Sequence, residues 1–531
     1  MRLRDVGFLC VVLAGGLAVG RGALRTAPPA RPEPAATLVR PDVSARVDEA
    51  FRESWRSRGI PPAPPAPDLA VMRRLNLALA GTVPSLEEIR RFEAMEPGRR
   101  VDGWLEALLG DRRTADHLAE RLARAFVGVE DGPFIVFRRR RFTTWLSDAL
   151  MENRPYSAVV RDLIAGRGIW TDQPAVNFVS VTRDEATERP DPERLAARVS
   201  RAFLGARIDC AQCHDHPFQP WKQADFRGLA AFFGGLRSNL RGVSDAENSY
   251  RPADRKTKEP TDVAPAVPSH PELLPADGPP RERLASWVVD PRNPYFAKAA
   301  VNRVWAVLFG RPLVDPVDDV PSVDETPRAL DLLADDFVEH GYDLRRLIRA
   351  VASTEAFRLE SVDLPDEAAS PNDESWAAFP MVRLRPEQVA GGVAQSASLA
   401  TLGPQSPWLA RLVTFAEGND FVRRYGDAGE DEFSPRGGTL PQRLLLMNGE
   451  LVQKRTRGEL WNASRQVAGL APGDEQAVEL AYLCVLTRRP TPEESAHFAP
   501  RLEGTSGDAR TAILADLFWT LINSAEFSWN H

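Results

Sequence analysis

Val101-Asp102-Gly103-Trp104-Leu105-Glu106-Ala107-Leu108-Leu109 places its apolar side chains at positions 101, 104, 105, 108 and 109. Spacings of three and four follow the turn of an α-helix, so one face forms a core stripe and the other meets water. The same period returns over 143–151 and 156–164, and later over 284–289, 297–309, 327–340 and 344–352. Helix punctuation agrees with it. Asp191-Pro192-Glu193 offers a capping side chain followed by proline at the first helical position, and Gly205 is placed to end that helix. Few segments alternate with period two, so the fold class is mainly α.

Working outward, 531 residues at roughly 150 per domain allow about three or four units. A hydrophobic share of 43% can build large cores, and it excludes a disordered chain, a collagen or a coiled-coil rod. The net charge of -7 argues against a nucleic-acid partner, which calls for a basic surface. Prolines are abundant (45) and mark the breaks between helical stretches. Residues 1–20 read as an export signal: Arg2 and Arg4 precede an apolar run from Val6 to Val19, with Ala18 and Gly20 suiting cleavage after Gly20. The alternative is an uncleaved anchor, the only membrane attachment expected. Residues 21–68 read as a Pro/Ala-rich spacer with a short helix near 47–58. Two helical domains are then expected, 69–240 and 282–531, joined by a Pro-rich, charged linker at 241–281.

Two short similarities link the halves. Leu77 to Glu88 resembles Leu483 to Glu494, each ending in a capping box, Ser85 with Glu88 and Thr491 with Glu494. Ala352 to Phe357 resembles Asn523 to Phe527. Shared helix-turn-helix grammar accounts for both, with an ancient duplication as the alternative.

One motif carries chemistry. Cys210-Ala211-Gln212-Cys213-His214 is C-x-x-C-H, the attachment pattern of c-type haem. Two cysteines three apart lie on one side of a helical turn, so both sulfurs can bond the vinyl groups of one porphyrin. The next residue, His214, then ligates the iron. With 4 Cys and 7 His in the chain, random order yields the pattern on the order of four times in ten thousand. Haem attachment occurs outside the cytoplasm, which fits an exported, periplasmic or cell-envelope protein. Cys210, Cys213 and His214 are therefore the candidate haem ligands, with Asp215 or a backbone carbonyl orienting the imidazole. Three alternatives stand beside this: a local Cys210–Cys213 disulfide, a relict motif that only packs, or zinc held by these cysteines with His214 and His216. No methionine lies between Met151 and Met381, so a distal iron ligand would come from His117 or His270, or be absent.

The run from Cys210 to Phe218, with Trp221, Gln223, Asp225-Phe226 and Gly228 to Phe233, resembles the planctomycete-type cytochrome domain. Leu75 to Phe92 and Asn153-Arg154-Pro155-Tyr156 resemble its beginning. Downstream, Asn293 to Phe296, Val301 to Trp305, Phe309-Gly310-Arg311, Leu313 to Asp319, His340 to Leu344 and the tail Asn523 to His531 resemble its usual C-terminal companion, a domain of unknown function. The resemblance implies an exported, mostly helical, two-domain protein described as cytochrome-like, carrying at most one haem by this motif.

The reading that follows is electron transfer, or redox support of a partner protein in the envelope. The alternatives are a non-haem envelope scaffold, for instance glycan-associated, and a metal-dependent enzyme centred on His214 and His216. Lesser features have plainer readings. Arg138 to Arg141 is a solvated charge run, with haem propionates or an acidic glycan as alternatives. Asp315, Asp318, Asp319, Asp324 and Glu325 lack the fixed spacing of a calcium loop. Asn302 and Arg303 are expected to satisfy buried backbone or carboxylate groups. Trp221 and Phe226 should pack over the motif, and His340 should close a helix. No Gly-x-Ser-x-Gly, phosphate loop, dinucleotide fingerprint or His-Glu-x-x-His occurs, which disfavours hydrolases built on them.

Overall fold

Helices dominate the computed structural model, which describes residues 41–128, 139–184, 189–239, 241–246, 250–252, 259–320, 325–361, 375–403, 406, 408–426, 433, 438–459 and 461–531. Side chains are described outside 408–416. Helices form where the apolar period predicts them: Arg100–Leu109, Arg139–Met151, Tyr156–Ala165, Pro280–Val288, Pro294–Phe309, Arg328–Glu339 and Leu344–Ala352. Their ends follow the capping chemistry. Asp191 accepts from the amides of Glu193 and Arg194 at 3.0 and 3.1 Å. Both capping boxes are formed, Ser85 with Glu88 and Thr491 with Glu494. The paired segments also turn alike, because Gly81 (φ 71°) and Thr487 (φ 59°) both adopt the left-handed conformation ahead of their boxes.

Among the described residues, strands are confined to two short ladders. Leu236–Asn239 pairs antiparallel with Gly242–Asp245. Val382–Arg383 pairs with Trp529–Asn530 and ties down the C-terminus.

The main core draws on Val43, Trp55, Trp104, Phe203, Trp287, Trp305, Phe337 and Phe357, and so on chain from both sides of 241–281. Trp305 is its hub: it stacks on Phe309 with centroids 4.2 Å apart and meets Trp376 edge-on at 5.2 Å. The stretch read as a linker lies against this core, with Tyr250 and Leu273 buried and Val263 and Val267 packed on it. A second core joins the C-terminal helices, through Val389, Tyr482, Leu517 and Phe527, to Leu77 and Val83. Two buried arginines bridge distant chain. Arg73 donates to the Val485 and Phe527 carbonyls, and Arg74 to those of Phe357, Leu359 and His531.

The stretch read as a spacer is likewise part of the folded body from residue 42. The helix Asp42–Arg58 buries Val43, Val47, Phe51 and Trp55, spaced by four. After it the proline-rich chain forms no helix before Asp68, Pro65 makes an antiparallel bridge with Leu359, and neighbouring amides pair with remote chain. Ala63 donates to the Ala377 carbonyl at 2.7 Å and Ala66 to that of Arg358 at 2.8 Å. Residues 1–20 lie outside the described residues, and so does the first part of the expected spacer, 21–40. No helix among the described residues is long and apolar enough to cross a membrane.

Candidate functional site: the C-x-x-C-H turn

The helix Pro192–Val199 runs into a π-turn, Ser200–Leu204, which Gly205 stops at φ 58°. Here glycine is favoured on two counts. Its φ is left-handed, and an added Cβ would come within 3.1 Å of Val320 and 3.2 Å of Ala299. The Gly205 carbonyl accepts from the Val320 amide at 2.7 Å, which brings the loop before residue 321 beside the motif.

Ile208–Gln212 then forms a 3₁₀ turn. Residues three apart eclipse one another in such a turn. Ile208 and Ala211 are buried and anchor one side. Cys210 lies within the turn and is exposed, and Cys213 caps its end half-buried. Neither is in a disulfide, nor is the buried Cys484.

The two histidines play different parts. His214 is exposed, and its Nδ1 lies 2.7 Å from the Asp215 carbonyl. A carbonyl only accepts, so Nδ1 carries the proton and Nε2 keeps its lone pair. His216 is the reverse. Its Nδ1 accepts from the Phe218 and Gln219 amides at 3.2 and 2.9 Å, which leaves the proton of the neutral ring on Nε2. His216 thus pins the turn after the motif. Among the described residues no group of three or more His, Cys, Asp or Glu side chains is arranged to hold a metal ion.

Hydrogen bonds hold the turn from every side. Arg201 forks onto Asp209. Burial raises the Asp209 pKa, but the Arg201 guanidinium outweighs it and holds the carboxyl below its usual range. The Gln212 amide reaches Glu193, whose other oxygen accepts from the Tyr250 hydroxyl at 2.7 Å. The Asp215 carboxylate accepts from the Gln223 amide at 2.9 Å, so it is the backbone carbonyl of Asp215, not its side chain, that orients His214. Gln219 donates to both oxygens of Asp319 at 3.1 Å, and Arg207 pairs with Asp318 at 2.7 Å. Asp318 and Asp319, weighed as calcium ligands, are therefore the tether between the motif and the loop before residue 321. Sequence reasoning missed this role, because more than 90 residues separate the partners. Asp324 lies outside the described residues.

Trp221 packs half-buried on Tyr295, centroids 6.2 Å apart, and donates to Gln219. Phe226 is buried in the main core. Phe218 stands out from the loop, 93% exposed.

The remaining candidates are placed as follows. His117 is buried against Gly81, and burial, with Arg385, Arg121 and Arg124 nearby, holds its pKa well below the usual histidine range. His270 pairs with Glu272 at 3.2 Å. These contacts belong to other parts of the chain than the motif. Arg139 binds Glu120 and the Gly128 carbonyl, and Arg141 the Thr171 carbonyl, while Arg138 lies outside the described residues. His340 closes the helix Arg328–Glu339. Asn302 brackets Val314, donating to its carbonyl at 2.8 Å and accepting from its amide at 3.0 Å, as its burial demands. Arg303 departs from expectation: it forms no hydrogen bond or ion pair with any described residue.

Comparison with known families divides the chain in the order the resemblance implied. Residues 46–238 match the family PSCyt2, described as a protein of unknown function (DUF1549). Residues 280–415 match PSD1, also described as a protein of unknown function (DUF1553). Neither description assigns a cofactor or an activity. No curated protein and no solved structure matches the chain.

Proposed function

We propose that this chain is an exported, c-type cytochrome-like protein, with Cys210 and Cys213 as the thioether residues of one haem and His214 as the axial ligand. The observation that carries the reading is the 3₁₀ turn Ile208–Gln212, which leaves Cys210 exposed and Cys213 half-buried just past its end, next to an imidazole whose Nε2 lone pair is available. When bound, haem supplies one-electron chemistry at its iron. The protein's own part is positional. The Asp215 carbonyl fixes the His214 tautomer, which leaves the Nε2 lone pair free to ligate. Arg201, Gln212, Gln219 and Arg207 hold the turn from four sides, so the ligands need little ordering on attachment. The reading assigns the proximal ligand alone: His117 sits beside Gly81 with its Nε2 buried, and His270 is paired with Glu272.

The role that follows is electron transfer, or redox support of an envelope partner that meets the exposed edge at Cys210 and Phe218. The zinc reading loses support because His216 spends Nδ1 on two backbone amides. The test is expression in a host able to attach haem, followed by a pyridine haemochrome assay. One haem per chain that survives denaturation and disappears in the Cys210→Ser, Cys213→Ser double variant is expected. Colourless protein with an oxidised cysteine pair would favour the scaffold, and porphyrin-free, chelator-sensitive zinc or iron would favour the metal enzyme.

A further inference from the structure

A cleft opens between the C-terminal helices Trp408–Tyr425, Leu440–Asn448 and Glu450–Thr456. Its free volume is about 260 Å³. A water molecule needs on the order of 10–15 Å³ measured this way, so the space accepts about twenty water-sized groups. Its lining comes from 417–454, outside both stretches that match a family.

The lining is graded from apolar to charged. Phe421 and Leu451 are buried and, with the half-buried Leu445, form the floor. The first helix brings Glu417, Asp420 and Arg424 to the walls, on the same face as Phe421 by their spacing of three and four. The third brings Glu450 and Lys454. The side chains of Asp420, Arg424 and Glu450 are each more than half exposed.

The protein spends these charges unevenly. Glu417 is committed, with Arg455 at 2.7 Å and Lys454 at 3.6 Å. Lys454 also takes the Oε1 oxygen of Glu450 at 2.7 Å, which leaves the other oxygen for a ligand. The counter-charge of Arg424 is Asp420, 3.8 Å away, and that carboxylate accepts from Arg423 at 3.3 Å. At 3.8 Å no hydrogen bond forms, so the Arg424 donors are not used up by Asp420. Lys454 first, and Arg424 after it, hold the Glu450 carboxyl below its usual range, so Arg424 and Glu450 share one mouth. An open cation and an open carboxylate oxygen thus stand above an apolar floor.

We propose that this cleft binds a short zwitterionic peptide of dipeptide size, its carboxylate on Arg424, its ammonium on Glu450 and its apolar side chains on Phe421, Leu445 and Leu451. The planar carboxylate fits the guanidinium fork. A ligand of one sign would pair with one wall and be repelled by the other. A neutral apolar ligand would cover the charged groups without pairing them. This site is separate from the C-x-x-C-H turn and stands whatever that turn binds.

Isothermal titration of the full chain with leucyl-leucine tests it, with N-acetyl-leucyl-leucine amide, which lacks both charges, as the control. Saturable binding of the zwitterion is expected, about tenfold or more tighter than that of the neutral analogue. Arg424→Met should weaken leucyl-leucine by about threefold to tenfold, the value of a charge-assisted hydrogen bond at a half-exposed site, and should leave leucyl-leucine amide unaffected. Glu450→Gln should weaken leucyl-leucine to a similar degree and leave N-acetyl-leucyl-leucine unaffected. Both positions are exposed, so both variants are expected to fold. No saturable binding of leucyl-leucine to folded protein, equal binding of the neutral analogue, or an affinity unchanged in either variant would overturn the proposal.

Discussion

Replacing Arg281 by Met tests whether the stretch 241–281 is built into the folded body. Arg281 is fully buried. It reaches the two Asp245 oxygens at 2.6 and 2.9 Å and the carbonyls of Ile164 and Gly166 at 2.9 Å each. One guanidinium therefore clamps the second strand of the first ladder, the end of the helix Tyr156–Ala165 and the start of Pro280–Val288. Methionine fills much of the volume but satisfies none of the four bonds. Breaking a buried pair on one side costs about 3–5 kcal/mol. Arg167, 2.7 Å from Asp245, remains as a partner, so the lower end is expected, about 3 kcal/mol. The pH dependence follows. Burial raises the Asp245 pKa, but Arg281 and Arg167 together pull it below the usual carboxylate range. A depressed carboxyl contributes stability above its unfolded pKa of about 3.9 and loses it as pH falls through the folded value. The variant's deficit should be full at pH 7 and shrink below roughly pH 4. Urea midpoints of the two proteins across that range measure it. A deficit under about 1 kcal/mol at pH 7, or one that does not shrink in acid, would refute the reasoning.

Two further outcomes are expected. Asp319→Ala removes the acceptor of the Gln219 amide group and of the Arg207 backbone amide; hydrogen exchange should quicken over 207–221, with about 1–2 kcal/mol lost overall, and unchanged protection there would show that the tether does not order the motif. Burial pushes the Cys484 thiol up to about 12, so in protein made without haem attachment, where both cysteines of the motif are thiols, peptide mapping after native alkylation at pH 8 should find Cys210 labelled and Cys484 untouched; labelling of Cys484 at the same rate contradicts its placement.

Local chemistry was legible in the sequence, and remote pairing was not. Ser85 with Glu88, Thr491 with Glu494, and Asp191 ahead of Pro192 act within one turn of chain, so their residue types suffice to place them. The helix Leu344–Ala352 was readable to its bounds, because Asp343 caps it and its apolar period is unbroken. The C-x-x-C-H motif was legible as spacing, but not as a 3₁₀ turn, whose conformation depends on Ile208 and Ala211 meeting the core. The attachment of the proline-rich stretch before 68 was not legible, because composition reports stiffness and not attachment. Its anchors, the Ala377 and Arg358 carbonyls, lie about 300 residues away. Asp318 and Asp319 show the same limit. The cluster's spacing argues against a calcium loop, but nothing in it names Arg207 and Gln219 as its partners.

The most direct measurement of the central claim is peptide mass spectrometry of the fragment holding Cys210, Cys213 and His214, prepared from protein made where haem can be attached. The account predicts one porphyrin joined through both sulfurs on that fragment, absent from Cys484. An unmodified fragment, or one whose only change is a Cys210–Cys213 disulfide, would contradict it.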